Sequence, residues 1–282
     1  MIIKIFVFTL GSLIGSFLNV CIYRLPIEKS LIEPSSHCPQ CAKPIFWYDN
    51  IPLLSYLMLR GRCRFCKGRI PFQYFLVELI TAVMFLSFYT FFIKDIAVAA
   101  IYCLLGSGLL AASFIDLKYK IIPDEISVYG LIIGFILSLL YPPLQSAISG
   151  LPSLATISLE ALFRLWPNDF LASPRFYSGV SSLLGILAGG GSIYLIGVLG
   201  NIVFRKESMG GGDVKLMAMM GAFLGFIPML FIFFIAPVFG AIVGIIVKIK
   251  TKEDIIPYGP FLSLAAFIVI FWGGYIIDWF SF

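Results

Sequence analysis

Residues 96–118, IAVAAIYCLLGSGLLAASFIDLK, run for twenty positions without a charge and then place an aspartate and a lysine within three. Twenty helical residues rise about 30 Å, the thickness of a bilayer's hydrocarbon layer. A carboxylate at the end of such a run lies at the membrane boundary, where an ionisable group is costly enough to be a functional candidate.

Seven further apolar stretches flank this one: Ile5–Tyr23, Tyr74–Ile93, Ile126–Tyr141, Val180–Phe204, Val214–Ile227, Met229–Val247 and Phe261–Phe280. The stretch at Val214–Ile227 is short and rich in Met, so its ends are the least defined. Of the 282 residues 60% are hydrophobic and 12% charged, whereas soluble domains are roughly 45–50% apolar. The expected fold is an all-α polytopic membrane protein with about eight transmembrane helices and one small cytoplasmic loop module. Ile2–Tyr23 runs into Arg24 without an A-x-A-like exit and reads as a retained first helix rather than a cleaved signal.

The net charge of +5 suggests nucleic acid only until the cations are placed. Arg24, Lys29, Lys43, Arg60, Arg62, Arg64, Lys67 and Arg69 share the first loop; Lys118 and Lys120, then Arg205 and Lys206, then Lys248, Lys250 and Lys252 mark alternate later loops. By the positive-inside rule these loops are cytoplasmic and both termini point outward. The basic balance reads as topology, with the bilayer as partner and no nucleic acid.

The chain divides at about residue 72. Residues 1–72 hold one span and a polar loop dense in Cys, Pro and basic residues; residues 73–282 hold the other spans and an outward loop at about 142–179. That loop is either a spacer or the seat of a short interfacial helix around Ala155–Trp166. No internal repeat is evident, and Gly189, Gly190 and Gly191 read as a place of close helix packing.

Cys38 and Cys41 form one C-x-x-C pair, Cys63 and Cys66 a second. Two such turns about twenty residues apart present four thiolates with the tetrahedral preference of Zn²⁺, and a closed four-thiolate shell makes the ion structural. Two disulfides are the alternative, disfavoured in a reducing compartment. His37 reads as a surface residue, and Cys21 and Cys103, inside spans, as small packing residues.

Asp116 ends one stretch and Asp213 opens another, in Met209-Gly210-Gly211-Gly212-Asp213-Val214-Lys215, both at the cytoplasmic boundary. Two carboxylates that share a proton can activate water and polarise a scissile carbonyl, as in aspartic proteolysis. Gly210, Gly211 and Gly212 would let a substrate backbone approach closely and would tolerate unusual dihedrals. Alternatively the aspartates are ordinary helix-end residues, Asp213 serving as an N-cap. Asp124 and Glu125 follow Pro123 as first-turn residues of a helix; with Glu253 and Asp254 they are also candidates for attracting a basic peptide.

Taken together the motifs resemble the type IV prepilin peptidase family, the leader peptidases and N-methyltransferases. The likeness covers nearly the whole chain: Gly15-Ser16-Phe17-Leu18-Asn19-Val20 with Tyr23-Arg24-Leu25-Pro26, both cysteine pairs, Asn50-Ile51-Pro52-Leu53-Leu54-Ser55-Tyr56, Leu59-Arg60-Gly61-Arg62-Cys63, Glu78-Leu79, Asp116 with Pro123-Asp124, Gly210–Leu216, and Pro257-Tyr258-Gly259-Pro260-Phe261-Leu262. The resemblance implies a G-x-G-D aspartic protease of the bacterial cytoplasmic (inner) membrane with Asp116 and Asp213 as its catalytic pair, facing the cytoplasm. It implies cleavage of the basic leader of prepilins or pseudopilins after Gly, then methylation of the new N-terminal residue with S-adenosylmethionine. The methylating activity is implied to lie with the N-terminal region and Glu78. The outward loop is longer than the family leads one to expect. The residues alone also admit a transporter or an assembly scaffold with a structural zinc knuckle.

Overall fold

The computed structural model describes residues 1–33, 36–38, 40–149, 173–204, 210–251 and 256–280. Most of the outward loop, Met209, Arg205, Lys206, Lys252, Glu253 and Asp254 lie outside these, so the readings placed on them have no structural counterpart here. The regular elements among the described residues are helical: α1 Ile2–Arg24, α2 Leu54–Met58, α3 Phe72–Phe91, α4 Ile96–Tyr119, α5 Asp124–Leu140, α6 Pro143–Ser149, α7 Pro174–Phe204, α8 Gly211–Leu224, α9 Phe226–Thr251 and α10 Gly259–Phe280, with short 3₁₀ turns at Leu25–Ile27 and Trp47–Asn50.

Six of these helices are long and apolar enough to cross a membrane: α1, α3, α4, α7, α9 and α10. The two other expected spans are real helices but shorter, 17 residues in α5 and 14 in α8. Fourteen residues rise only about 21 Å. Every residue of α8 from Leu216 to Leu224 is buried in protein, so this helix is lined by other helices and not by lipid.

The chain forms two compact units, Met1–Ala111 and Ala112–Phe282, with the division inside α4. In the first unit α1 lies antiparallel to α3. A Cβ on Gly11 would come 2.8 Å from the Ala82 Cα, and one on Gly15 would come 2.7 Å from the Glu78 Cα. One turn further along, the Asn19 side-chain amide donates to the Tyr74 carbonyl at 3.0 Å. Each step of four along α1 thus meets a step of four back along α3, and the Gly-x-x-x-Gly spacing is what lets the backbones touch. The first part of α4 completes the unit with Tyr102, wholly buried against Phe88 and Phe92.

In the second unit α8 is the centre. Gly221 of α8 and Gly185 of α7 cross backbone to backbone, leaving no room for a Cβ on either, and Gly189 packs equally closely on the Met217 carbonyl. Close packing is therefore what Gly189 provides, while a Cβ on Gly191 would meet nothing within 4 Å. On another side Gly130 and Gly134 of α5 receive the Met219 and Phe223 side chains. Buried hydroxyls staple the crossings: Ser182 Oγ donates to the Ala222 carbonyl at 2.8 Å, and Ser178 Oγ to the Ser138 carbonyl at 2.7 Å.

Gly→Ala in an unconstrained helix stabilises by up to about 1 kcal/mol, whereas overpacking a closed contact costs about 1–3 kcal/mol. Gly221→Ala should therefore lower the thermal midpoint of the detergent-purified protein by several degrees while Gly191→Ala leaves it level or raises it; equal midpoints would contradict the backbone crossing.

Candidate functional site

The cysteine loop is built from two copies of one turn. Cys38 N–H donates to the Lys43 carbonyl and Ala42 N–H to the Cys38 carbonyl, both at 2.9 Å; Cys63 N–H donates to Gly68 and Lys67 N–H to Cys63, at 2.8 and 3.1 Å. Ala42 and Lys67, each four residues after the first cysteine of its pair, share a left-handed backbone with φ of 56° and 58°. Isolated antiparallel bridges close both turns in the same register, His37 with Pro44 and Arg62 with Arg69. This short-range repeat escaped the sequence reading because the two segments agree in little beyond their cysteines.

All six cysteines are free, so the disulfide alternative is not realised. The sulfurs of Cys38, Cys41, Cys63 and Cys66 lie within 4.8 Å of one another, a group that can hold a metal ion. Cys38 Sγ and Cys66 Sγ stand 3.8 Å apart, and a tetrahedron of sulfurs about 2.3 Å from its centre has an edge of about 3.8 Å. Backbone N–H groups of Cys66 and Phe65 hold the Cys63 thiol down to about 7, favouring the thiolate that a metal needs. Arg64 braces the outside of the turn by a bidentate pair to Asp49, both bonds 2.6 Å.

In the same unit Glu78 is buried in α3, under Gly15 of α1. Its Oε2 accepts from the Leu53 N–H at 2.8 Å, and the Ser16 side chain is a second partner. Leu53 has φ +61°, a backbone region uncommon for a residue with a side chain, and the Glu78 bond holds it there. Beside Glu78 opens a cavity of about 550 Å³, walled by residues that include Ser16, Tyr23, Tyr56 and Tyr74.

The second unit brings the two aspartates together. Asp116, 6% exposed, comes from the last turns of α4, and Asp213 from the first turn of α8. Their carboxylates are within Coulombic reach of each other. The N-cap of α8 is Gly210, with no side-chain capping bond, so Asp213 is the third helical residue and the N-cap reading of it does not hold. Asp116 Oδ2 accepts from the buried Gly259 N–H at 2.8 Å. A Cβ on Gly259 would sit 2.9 Å from that same oxygen. One turn away in each helix, Ser113 Oγ donates to Ser263 Oγ at 2.8 Å, securing α4 to α10 beside the carboxylate. The loop residue Tyr258 lies by Asp213, and burial, helped by that carboxylate, pushes its phenol up to about 12.

The three glycines before Asp213 differ in surroundings. Gly210 is exposed, with the Asp213 carboxylate 3.5 Å from where its Cβ would be; Gly211 faces open space; Gly212 packs on Ile122. None has positive φ, so they supply room rather than unusual dihedrals. Asp124 and Glu125 do occupy the first turn of α5 behind Pro123, and the exposed Lys215–Asp124 pair, 2.6 Å, links the starts of α8 and α5. Sequence reasoning gave Gly259 no role. It acts through a backbone N–H that, at a helix start, has no partner in its own helix and is free to donate to Asp116, and its sign in the sequence is the Gly-Pro pair that opens α10.

An all-helical, multi-pass membrane protein with a four-thiol module in one unit and a carboxylate pair in the other is the class that these features define. The chain belongs to the type IV leader peptidase family: that family's sequence profile matches residues 103–245, and a profile described as the bacterial peptidase A24 N-terminal domain matches residues 9–92. A prepilin leader peptidase/N-methyltransferase of Myxococcus xanthus is 35% identical over 88% of this chain and 64% of its own length. One of Aeromonas salmonicida is 32% identical over 97% of this chain and 92% of its own. A type 4 prepilin-like proteins leader peptide-processing enzyme of Escherichia coli is 34% identical over 93% and 91%. No solved structure matches.

If the four sulfurs hold one ion, Co²⁺ added to metal-stripped protein should give thiolate charge-transfer absorption at one equivalent, abolished by Cys38→Ser with Cys63→Ser. An unchanged spectrum in that variant would show the metal to be elsewhere.

Proposed function

We propose that this chain is a prepilin leader peptidase and N-methyltransferase of the bacterial inner membrane, with its peptidase site at the cytoplasmic face. The reading rests on the approach of Asp116 and Asp213, together with what the relatives are named for. A pair that shares one proton has an ionised member to take a proton from water and a protonated member to donate to the scissile carbonyl. The water oxygen adds to the carbonyl carbon, and collapse of the tetrahedral species returns a proton to the leaving amine. The Gly259 N–H keeps one oxygen of Asp116 in place through this exchange. Gly210 and Gly211, open to their surroundings, give an extended leader backbone room to reach the carboxylates. The substrates are prepilins or pseudopilins, cut after Gly at the end of a basic leader.

The amine freed by cleavage is then methylated. S-adenosylmethionine, when bound, would supply an electrophilic methyl group on a sulfonium: the neutral amine would form the N–C bond as the C–S bond breaks, the thioether S-adenosylhomocysteine would leave, and the amine would release one proton. We assign this step to the cavity beside Glu78, whose volume falls within the usual 300–1,000 Å³ of small-molecule sites and whose tyrosine rings suit a sulfonium cation. Glu78 fixes the wall at Leu53. Cys38, Cys41, Cys63 and Cys66 would hold a Zn²⁺ ion in a closed shell whose contribution would be to fold the loop that forms the rest of that wall.

Asp116→Asn and Asp213→Asn should each reduce leader cleavage by roughly 10³-fold or more while the protein inserts and binds metal normally; wild-type cleavage by either ends the assignment. Gly259→Ala, which crowds the Asp116 oxygen, should lower kcat about 10- to 100-fold with little change in KM. Glu78→Ala should yield a cleaved product lacking the extra methyl mass, and a fully methylated product would exclude Glu78 from that step.

A further inference from the structure

The short helix α2 carries an apolar face that the protein does not cover. Leu54, Leu57 and Met58, spaced i, i+3, i+4 and so on one side of the turn, are 58%, 61% and 81% exposed; Trp47, in the preceding 3₁₀ turn, is 80% exposed. The opposite side is anchored: the Tyr56 ring packs against Phe75 and Phe72 in the first turn of α3, with centroids 5.3 and 6.4 Å away. The Leu53 N–H just before α2 is bonded to Glu78. Glu78 lies six residues into α3, about 9 Å along its axis from Phe72.

α3 is long and apolar enough to cross a membrane. A helix fastened beside its first two turns therefore sits at the depth where amphipathic helices rest, about 5–10 Å into the boundary of headgroups and acyl chains. Water is not the medium there for Leu57 and Met58. The charge around this face selects the kind of surface. Residues 25–71 hold seven Lys and Arg against three Asp and Glu, an excess that survives the two net negative charges of a zinc tetrathiolate. Arg60, Arg62 and Arg69 are exposed close to α2 in the chain. An apolar face carried on a loop of net positive charge suits an anionic leaflet and disfavours a basic leader peptide.

We propose that α2 and Trp47 form an interfacial foot that inserts Leu54, Leu57, Met58 and the indole into the anionic cytoplasmic leaflet, with Arg60, Arg62 and Arg69 gathering anionic headgroups. The foot holds the four-cysteine loop flat on the membrane and makes lipid the outer support of the strained Leu53 segment.

The test uses the full chain in nanodiscs, with Trp166, Trp272 and Trp279 replaced by Phe so that Trp47 reports alone. Brominated phosphatidylglycerol should quench Trp47 by about half, and at least about twofold more than brominated phosphatidylcholine at equal mole fraction. The combination Leu54→Glu, Leu57→Glu and Met58→Glu should remove most of the quenching while metal content is kept. Trp47 that emits as in water and is unquenched by either lipid overturns the foot. Trp47 shielded from aqueous acrylamide yet unquenched by lipid overturns it in favour of a protein partner. Equal quenching by the two lipids overturns the anionic preference.

Discussion

A buried carboxylate must have a donor, and for Asp116 that donor is the backbone N–H of Gly259, 143 residues further along the chain. The requirement shapes much of the second unit. The start of α10 has to lie against the end of α4, and a Cβ on Gly259 would crowd, at 2.9 Å, the same oxygen that its N–H serves. A hydroxyl pair one turn away repeats the tie. Asp213 is delivered by different means, at the first turn of a helix so enclosed that its far nine residues are all buried. Glycines make that enclosure possible, since α7 and α8 meet where neither backbone carries a side chain.

The first unit solves a different problem. Its loop is too small to bury a core, and four sulfurs within 4.8 Å of one another offer a site for a metal in place of one. Two equal turns, each with a left-handed residue four places after its first cysteine, aim those sulfurs inward. The same loop reaches back to the helices through Leu53 and Tyr56, so the wall of the Glu78 cavity depends on the four-cysteine segment and on α3 together.

Much of this was legible in the sequence because it follows from composition and spacing. Long uncharged runs become apolar helices, and two C-x-x-C pairs become one cluster of four free thiols. Asp116 and Asp213 stood out because ionisable groups at that depth are expensive. What escaped were features whose signal is not a side chain. Gly259 works through its N–H, the crossing at Gly185 and Gly221 through the absence of atoms, and Leu53 through a backbone angle. The expected length of α8 held and its ends moved by three residues, from Val214–Ile227 to Gly211–Leu224; what hydropathy missed is its surroundings, since it cannot tell a helix sheathed in protein from one sheathed in lipid. Asp213 as an N-cap failed by three residues, since Gly210 takes that position.

The central claim is that the two carboxylates act as one unit. It is tested most directly by measuring prepilin cleavage by Asp116→Asn, Asp213→Asn and the double variant in one purified preparation. Groups that share a proton lose their function together, so the double variant should be no slower than the slower single. Losses that multiply, or a single variant cleaving at the rate of the unaltered protein, would contradict it.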